Sequence, residues 1–255
     1  MGVDVKFQFP PRRIISLVPS QTEFLYSLGL DDEVVGITRF CIHPKSWHQN
    51  KSRIGGTKNF DLPLIESLQP DLIIGNKEEN YAEGIGLLRE KFPVWMSDIF
   101  MLDDAIDMMS SIGALTNRHE RAAEITDMIR RNFSALKPRT GSRVLYLIWR
   151  KPWMAAGRKT FIDDLLARAG FINVVRDERY PVLDTQQIAT LDPDYIFLSS
   201  EPFPFNENHA AELKKIAPRS RSLLVDGEMF SWYGSRLLLT CDYLNSLPLS
   251  DADTK

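Results

Sequence analysis

The chain carries two copies of one stretch. Residues 59–78 and 182–201 align without a gap at an offset of 123. Seven of the twenty positions are identical: Asp61/Asp184, Ile65/Ile188, Leu68/Leu191, Pro70/Pro193, Asp71/Asp194, Ile73/Ile196 and Glu78/Glu201. A fold for this sequence must hold the same helix–strand unit twice, which points to an internally duplicated architecture. A second pair of landmarks agrees. Ser20-Gln-Thr-Glu23 and Thr160-Phe-Ile-Asp163 share the hydroxyl-x-x-acid spacing of a capping box, at an offset of 140. The first half therefore holds 17 extra residues (140 − 123), which the reading places in a loop over Arg39–Lys58.

Short apolar runs alternate with amphipathic stretches around this repeat. Arg13–Val18, Val34–Ile37, Asp71–Ile74 and Val94–Met96 read as strands, with helices over Thr22–Leu28, Leu62–Leu68 and Tyr81–Lys91. After the middle, strands are expected at Arg143–Trp149, Asn173–Val175, Tyr195–Leu198 and Ser222–Val225. Helices are expected at Phe161–Ala169, Thr185–Leu191, Ala210–Ile216 and Ser235–Leu247. Continuous apolar strands separated by helices mean parallel sheets covered on both faces. Between the halves, Asp103 opens one helical pattern and Gly113 with Asn117 breaks it. Ala122, Ile125, Ile129, Phe133 and Leu136 then recur at helical spacing, a helix over Arg118–Leu136 about 28 Å long that Lys137–Gly141 terminates. The expected fold is α/β: two parallel-sheet Rossmann-like lobes joined by one long α-helix. The divisions are an N-terminal lobe over 1–101, a connecting helical segment over 102–140 and a C-terminal lobe over 141–255.

Composition removes several function classes. The chain has 31 basic and 34 acidic residues, a net charge of −3, which argues against a dedicated nucleic-acid binder. Two cysteines, Cys41 and Cys241, give neither a zinc-finger spacing nor a disulfide framework. No apolar run reaches the roughly 20 residues of a membrane span, and Met1–Pro10 lacks the apolar core of a signal peptide. The two expectations for location are a cytoplasmic protein as written or an envelope protein whose export signal was removed. No GxSxG, Walker A or HExxH motif occurs, and the GxG at Gly84–Gly86 meets Arg89 where a third glycine belongs. No catalytic residue is assigned and the chain is read as a non-enzyme.

Arg13-Ile-Ile-Ser-Leu-Val-Pro-Ser-Gln-Thr-Glu23, the paired Leu-x-Pro-Asp-x-Ile motifs at Leu68–Ile73 and Leu191–Ile196, and Ala169-Gly-Phe-Ile-Asn-Val174 carry a family resemblance. The chain resembles the class III periplasmic binding proteins, the helical-backbone metal receptors of ABC importers, from about Arg12 to Leu247. It is closest in pattern to the vitamin B12 receptors. The resemblance implies a monomeric solute-binding protein of the periplasm or cell envelope. Its ligand would be a corrinoid or related metal chelate, held in an inter-lobe cleft and handed to an importer permease. A ferric siderophore or haem is the alternative ligand, and a cytoplasmic metallocluster enzyme on a similar two-lobe plan the alternative function. A signal-less binding or sensing module without a transporter is the third reading. No cofactor is expected beyond the transported ligand.

Candidate ligand contacts follow from position. Ser20 and Gln21 open the helix after the first strand, where ligands of open α/β sheets sit; the plain alternative is a capping box. Aromatics gather in strand-end loops: Trp149, Trp153, Phe203, Phe205, Phe230, Trp232 and Tyr233, with Phe40 and Trp47 in the first-half loop. Such rings suit a flat amphiphilic ligand. Trp153, Trp232 and Tyr233 are assigned to the site with Arg39 and Phe40, whereas Trp149 reads equally well as core. Met229–Arg236 matches a segment that borders the cleft in the resembling B12 receptors. Arg39, Arg150 and Arg158 fall in the same loops, and two converging there would favour an anionic chelate. Cys41-x-His43-x4-His48 lacks a fourth ligand, so no metal site is assigned. Glu78 and Glu201, equivalent in the repeat, are the expected importer-docking residues, since one glutamate per lobe meets arginines of the importer in the resembling receptors. Glu79 and Glu83 compete for the first-half role.

Overall fold

The computed structural model describes residues 6–137 and 141–249. The expected signal-peptide absence over Met1–Val5 and the Pro138–Thr140 part of the helix stop lie outside the described residues. The chain divides into two compact units. The first holds the chain up to Ile99, Asp103–Arg130 and Tyr233–Leu238. The second holds Phe100–Leu102, Arg131–Trp232 and the chain from Leu239.

Elements of the first half run β1 (Ile14–Ser16), α1 (Pro19–Ser27), β2 (Val34–Ile37), α2 (Lys45–Asn50), β3 (Ser52–Arg53), β4 (Gly55–Gly56), β5 (Asn59–Phe60), α3 (Leu62–Leu68), β6 (Leu72–Asn76), α4 (Ala82–Arg89) and β7 (Val94–Ser97). Two helices follow, α5 (Leu102–Leu115) and α6 (His119–Ser134). The first sheet has the order β3-β2-β1-β6-β7, with every pair parallel. The stretch read as a loop over Arg39–Lys58 instead contains α2, β3 and β4; it is too short and polar for its periodicity to show. Trp47 anchors α2, its indole donating to Asp31 while Tyr26 packs edge-on at 5.4 Å.

The second half runs β8 (Arg143–Trp149), β9 (Trp153–Ala155), α7 (Phe161–Arg168), β10 (Ile172–Asn173), β11 (Val182–Leu183), α8 (Thr185–Leu191), β12 (Tyr195–Ser199), α9 (Glu207–Ile216), β13 (Arg221–Val225), α10 (Glu228–Ser231) and α11 (Leu237–Ser246). Strands β10, β8, β12 and β13 are parallel, whereas β9 and β11 pair antiparallel at the other end. The purely parallel expectation therefore needs refinement for this sheet. Its central strands read as unbroken apolar runs because both faces are covered. Val144 and Tyr146 of β8 join a cluster with Ile162, Leu166, Phe230 and Leu244, while Leu145 and Leu147 join Ile188, Leu198 and Leu213 on the other face. Each such large apolar side chain contributes about 1.5–3 kcal/mol on burial.

The repeat has a structural job. Helices α3 and α8 start on aspartate caps, Asp61 accepting from Leu64 N at 3.1 Å and Asp184 from Gln187 N at 2.7 Å. Both end on a left-handed residue, Gln69 (φ 46°) and Asp192 (φ 43°), immediately before the repeated proline. The repeated aspartate then fastens the start of the sheet's central strand. Asp71 accepts from Arg12 N (2.7 Å) and Arg13 N (2.9 Å), and Asp194 accepts from Arg143 N (2.8 Å). Arg13 and Arg143 reach back to the Leu68 and Leu191 carbonyls, each at 2.8 Å. The Leu-x-Pro-Asp motif thus ties a helix end to a strand start, and its recurrence is a scaffold requirement.

Candidate functional site

The two capping boxes read from the sequence part company. Thr160 is a true N-cap of α7, its Oγ1 accepting from Asp163 N at 3.2 Å. Ser20 is not a cap. Pro19 opens α1, its fixed φ suiting the first helical position, so Val18 becomes the N-cap and supplies no side-chain bond. Ser20 Oγ is left buried without a hydrogen-bond partner, and so is Gln21 Oε1. Glu23, expected to complete the box, instead accepts a two-pronged bond from Arg236, 3.0 Å from Nε and 2.7 Å from Nη2.

Around α1 the first unit builds a polar layer at the carboxyl ends of β1, β6 and β7. Gln21 Nε2 donates to Ser97 Oγ (2.7 Å), and Asn76 Nδ2 donates to the same oxygen (3.1 Å). Asn76 Oδ1 in turn receives the N–H groups of Glu78 (2.8 Å) and Glu79 (3.2 Å), fixing the acidic turn. Sequence reasoning missed Asn76 and Ser97. The available signal was a polar residue closing an otherwise apolar strand, at Asn76 and at its repeat equivalent Ser199. The segment Tyr233–Leu238 lies on this layer: Tyr233 Oη donates to Glu79 Oε1 at 2.5 Å. A Cβ on Gly234 would stand 2.6 Å from the Ser20 carbonyl, so only glycine permits that approach. The structure therefore brings Ser20 together with Gly234, and Tyr233 together with Glu79.

Arg39 and Phe40 face solvent beside the β4–β5 ribbon. Phe40 is 49% exposed, with the Arg39 guanidinium 5.0 Å from its ring centre. Cys41 turns inward. Thr22 and Thr38 hydroxyls lie 3.1 Å from its sulfur, and burial pushes the thiol pKa up to about 11. His48 Nδ1 meets the Cys41 carbonyl rather than its sulfur, at 3.2 Å. Among the described residues no group of three or more His, Cys, Asp or Glu could hold a metal ion.

In the second unit the aromatic assignments are redistributed. Trp153, read as a loop residue, lies in β9 and is 4% exposed, stacked parallel on Phe205 at 6.1 Å. Trp232 is 6% exposed, and its indole donates to Glu201 Oε1 at 2.8 Å. Ser231 Oγ donates to that oxygen at the same distance. Gly227 allows this packing, since a Cβ there would stand 2.3 Å from Ser199 Oγ and 2.7 Å from Glu201 Cγ. Burial raises the Glu201 pKa above its ordinary 4.5, and the charges of Glu228 and Asp226 add to the rise. The Ser231 and Trp232 donors work against it. Glu201 is thus half-buried, with one carboxylate oxygen engaged inside its own unit. Glu78, its repeat equivalent, lies in the turn after β6, where Lys58 Nζ holds its carbonyl at 2.9 Å. Of the candidate arginines, Arg150 is forked onto Glu212 (2.5 and 3.2 Å) and lies 4.2 Å over Trp153, whereas Arg158 is exposed.

Residues 14–217, from β1 to just past α9, match the sequence profile of the periplasmic binding proteins. The chain belongs to the periplasmic binding protein family. The vitamin B12-binding protein of Vibrio cholerae serotype O1 is 25% identical over 198 residues, covering 75% of this chain and 71% of that protein. The crystal structure of the periplasmic vitamin B12-binding protein of Vibrio cholerae superimposes with a TM-score of 0.77 at 22% identity, covering 93% of this chain and 98% of that one. A periplasmic haem-binding protein from Pseudomonas aeruginosa gives 0.77 at 23% identity, covering 94% and 95%. These likenesses establish the two-lobe α/β fold of periplasmic binding proteins.

Proposed function

We propose that this protein captures a corrinoid or a related metal chelate and delivers it to the permease of an ABC importer. The observation that carries the reading is the family match, which spans the α1 turn of the first unit and the β8 and β12 ends of the second. Geometry supports it. At the carboxyl ends of the first sheet's strands, where ligands of open α/β sheets bind, the α1 start holds the unpartnered Ser20 Oγ and Gln21 Oε1. Arg39 and Phe40 offer an exposed cation and ring. Trp153, Trp232 and Tyr233 act from behind, holding the loops that meet the ligand. Binding and release require no catalytic group, and the protein works as a monomer in the periplasm or cell envelope. No described helix is long and apolar enough to cross a membrane.

An anionic chelate, haem or a ferric siderophore, is the second reading, favoured by the exposed guanidinium of Arg39. A metallocluster enzyme finds no support. Among the described residues no group of three or more His, Cys, Asp or Glu could hold a metal ion, and the two cysteines, Cys41 and Cys241, are both buried. For the importer, Glu78 is the first docking residue to test and Glu201 the second, because Glu201 already serves Trp232 and Ser231. Exposed Glu83, in the first turn of α4, is the competitor that lies clear of the Tyr233 bond.

The test is calorimetric titration with cyanocobalamin, dicyanocobinamide, hemin and ferric hydroxamates. One of these should bind with one-to-one stoichiometry; binding of none sinks the reading. Glu78→Ala should then leave affinity intact and abolish uptake with the cognate importer, and Glu201→Gln, which keeps the acceptor for Ser231 and Trp232, tests the second position in the same assay. Full uptake by both variants removes both glutamates from the docking role.

A further inference from the structure

One segment of the first unit carries charge of a single sign. The 22 residues from Arg39 to Phe60 hold Arg39, Lys45, Lys51, Arg53 and Lys58 and no Asp or Glu, in a chain whose net charge is −3. A basic surface segment is ordinarily only solvated. Convergence sets this one apart. Strands β2 and β3 are parallel neighbours with Ile37 level with Arg53, so the chain leaves both at the same end of the sheet. Arg39 N donates to the Gly55 carbonyl at 2.8 Å, which ties the turn after β2 to the β4–β5 ribbon. A Cβ on Gly56 would stand 3.0 Å from the Phe40 ring and 3.4 Å from Arg39 Nε, so turn and ribbon share one surface. Lys45 opens α2 directly after that turn, Arg53 closes β3, and Lys58 lies between β4 and β5. The fifth cation is diverted: Lys51 Nζ donates to the Asp31 carbonyl and lies 3.8 Å from its carboxylate.

The same surface exposes apolar side chains. Phe40 is 49% and Ile42 47% exposed, on either side of the fully buried Cys41. The turn shows them to solvent because Cys41 is fastened inward, its sulfur 3.1 Å from the Thr22 and Thr38 hydroxyls. Buried Trp47 anchors α2 behind Lys45. Side chains held on a fixed frame lose little freedom on docking. The cations also keep their charge. Among the described residues Arg39, Lys45 and Arg53 are exposed and form no ion pair. Lys58 bonds the Glu78 carbonyl rather than its carboxylate. The acids that border the patch are Glu78 and the α3 cap Asp61.

We propose that Ile42, Lys45, Arg53 and Lys58 form a membrane-facing surface that rests on anionic phospholipid headgroups, with Ile42 entering the interface. Arg39 and Phe40, assigned above to the ligand, adjoin it. The cations attract the phosphate layer, and an exposed apolar side chain gains by leaving water, a combination that fits a lipid surface. A nucleic acid satisfies the charges and offers no apolar layer to Ile42. Each Lys or Arg at an anionic membrane surface raises partitioning about fivefold. The surface holds the chain beside a membrane whichever chelate it carries, so its failure leaves the chelate reading standing.

Flotation of the full chain with vesicles tests it, using phosphatidylcholine alone and phosphatidylcholine with phosphatidylglycerol in a two-to-one mixture. The chain should float with the anionic vesicles only, and high salt should release it. Lys45→Glu with Arg53→Glu should lower partitioning about twentyfold or more, and Ile42→Ser about threefold to tenfold. Lys215→Glu with Arg221→Glu, an equal change of net charge at exposed positions of the second unit, should float as the wild type does. No flotation, equal flotation with both vesicles, or equal losses in the two charge-reversed variants overturns the surface. Should the Lys45/Arg53 variant not fold, an environment-sensitive dye on Ile42→Cys gives a second readout. Its emission must shift to the blue with anionic vesicles; an unmoved emission, with duplex DNA bound as tightly as the vesicles, overturns the lipid in favour of another polyanion.

Discussion

The Glu23–Arg236 fork is the sharpest quantitative test of the first unit. It joins residues 213 apart in sequence, and the side chains are only 20% and 10% exposed. Glu23→Ala removes the two oxygens onto which Arg236 is forked, in a mostly dry site. Truncating one partner of a fully buried pair costs about 3–5 kcal/mol. Partial exposure of Glu23 lowers the expectation to about 2–4 kcal/mol. For a chain of this size that is a fall in Tm of about 4–16 °C, at roughly 2–4 °C per kcal/mol. Glu23→Gln keeps one acceptor and should lose about half as much. Arg236→Met removes the charge while keeping the stem that packs beside α1. Urea titration of both single variants and the double should give a coupling of about 1–3 kcal/mol. An additive cycle, or a loss below about 1 kcal/mol for Glu23→Ala, would refute the claim that this fork pins Tyr233–Leu238 to the first unit.

Two further outcomes follow from the site. Thr160→Ala should cost about 1–2 kcal/mol, because Thr160 caps α7, whereas Ser20→Ala should fall within about 0.5 kcal/mol of wild type, because Ser20 caps nothing; equal losses in thermal denaturation would contradict the difference between the two helix starts. Glu201 has a folded-state pKa above its ordinary 4.5, so the folded chain holds that proton more tightly and stability falls as pH rises from 4.5 through the folded value. Glu201→Gln keeps the acceptor for Ser231 and Trp232 and removes this slope, so the variant should gain stability relative to wild type between pH 4 and pH 7. A pH-independent difference would show that Glu201 is not desolvated.

Local pattern determined much of this protein. The alternation of apolar runs and amphipathic stretches located β1, β2, β6, β7, β8, β12 and β13, because a strand buried on both faces must be apolar throughout. The repeat paired Asp61 with Asp184 and Pro70-Asp71 with Pro193-Asp194, and the structure supplied their roles, the first pair as helix caps and the second as clamps on the adjacent strand start. The aromatic set was legible as a set but not ring by ring. Whether Trp153 faces a ligand depends on Phe205 and Arg150, and Trp232 depends on Glu201, 31 positions away. The antiparallel β9–β11 arm escaped notice because strands of two and three residues leave no periodicity. Ser20 shows the limit most plainly. Its spacing to Glu23 matches that of Thr160 to Asp163, yet Pro19 started the helix two residues early and Arg236, far along the chain, claimed the glutamate. Spacing states which side chains can reach a helix end; only tertiary structure decides whether a stronger partner reaches them first.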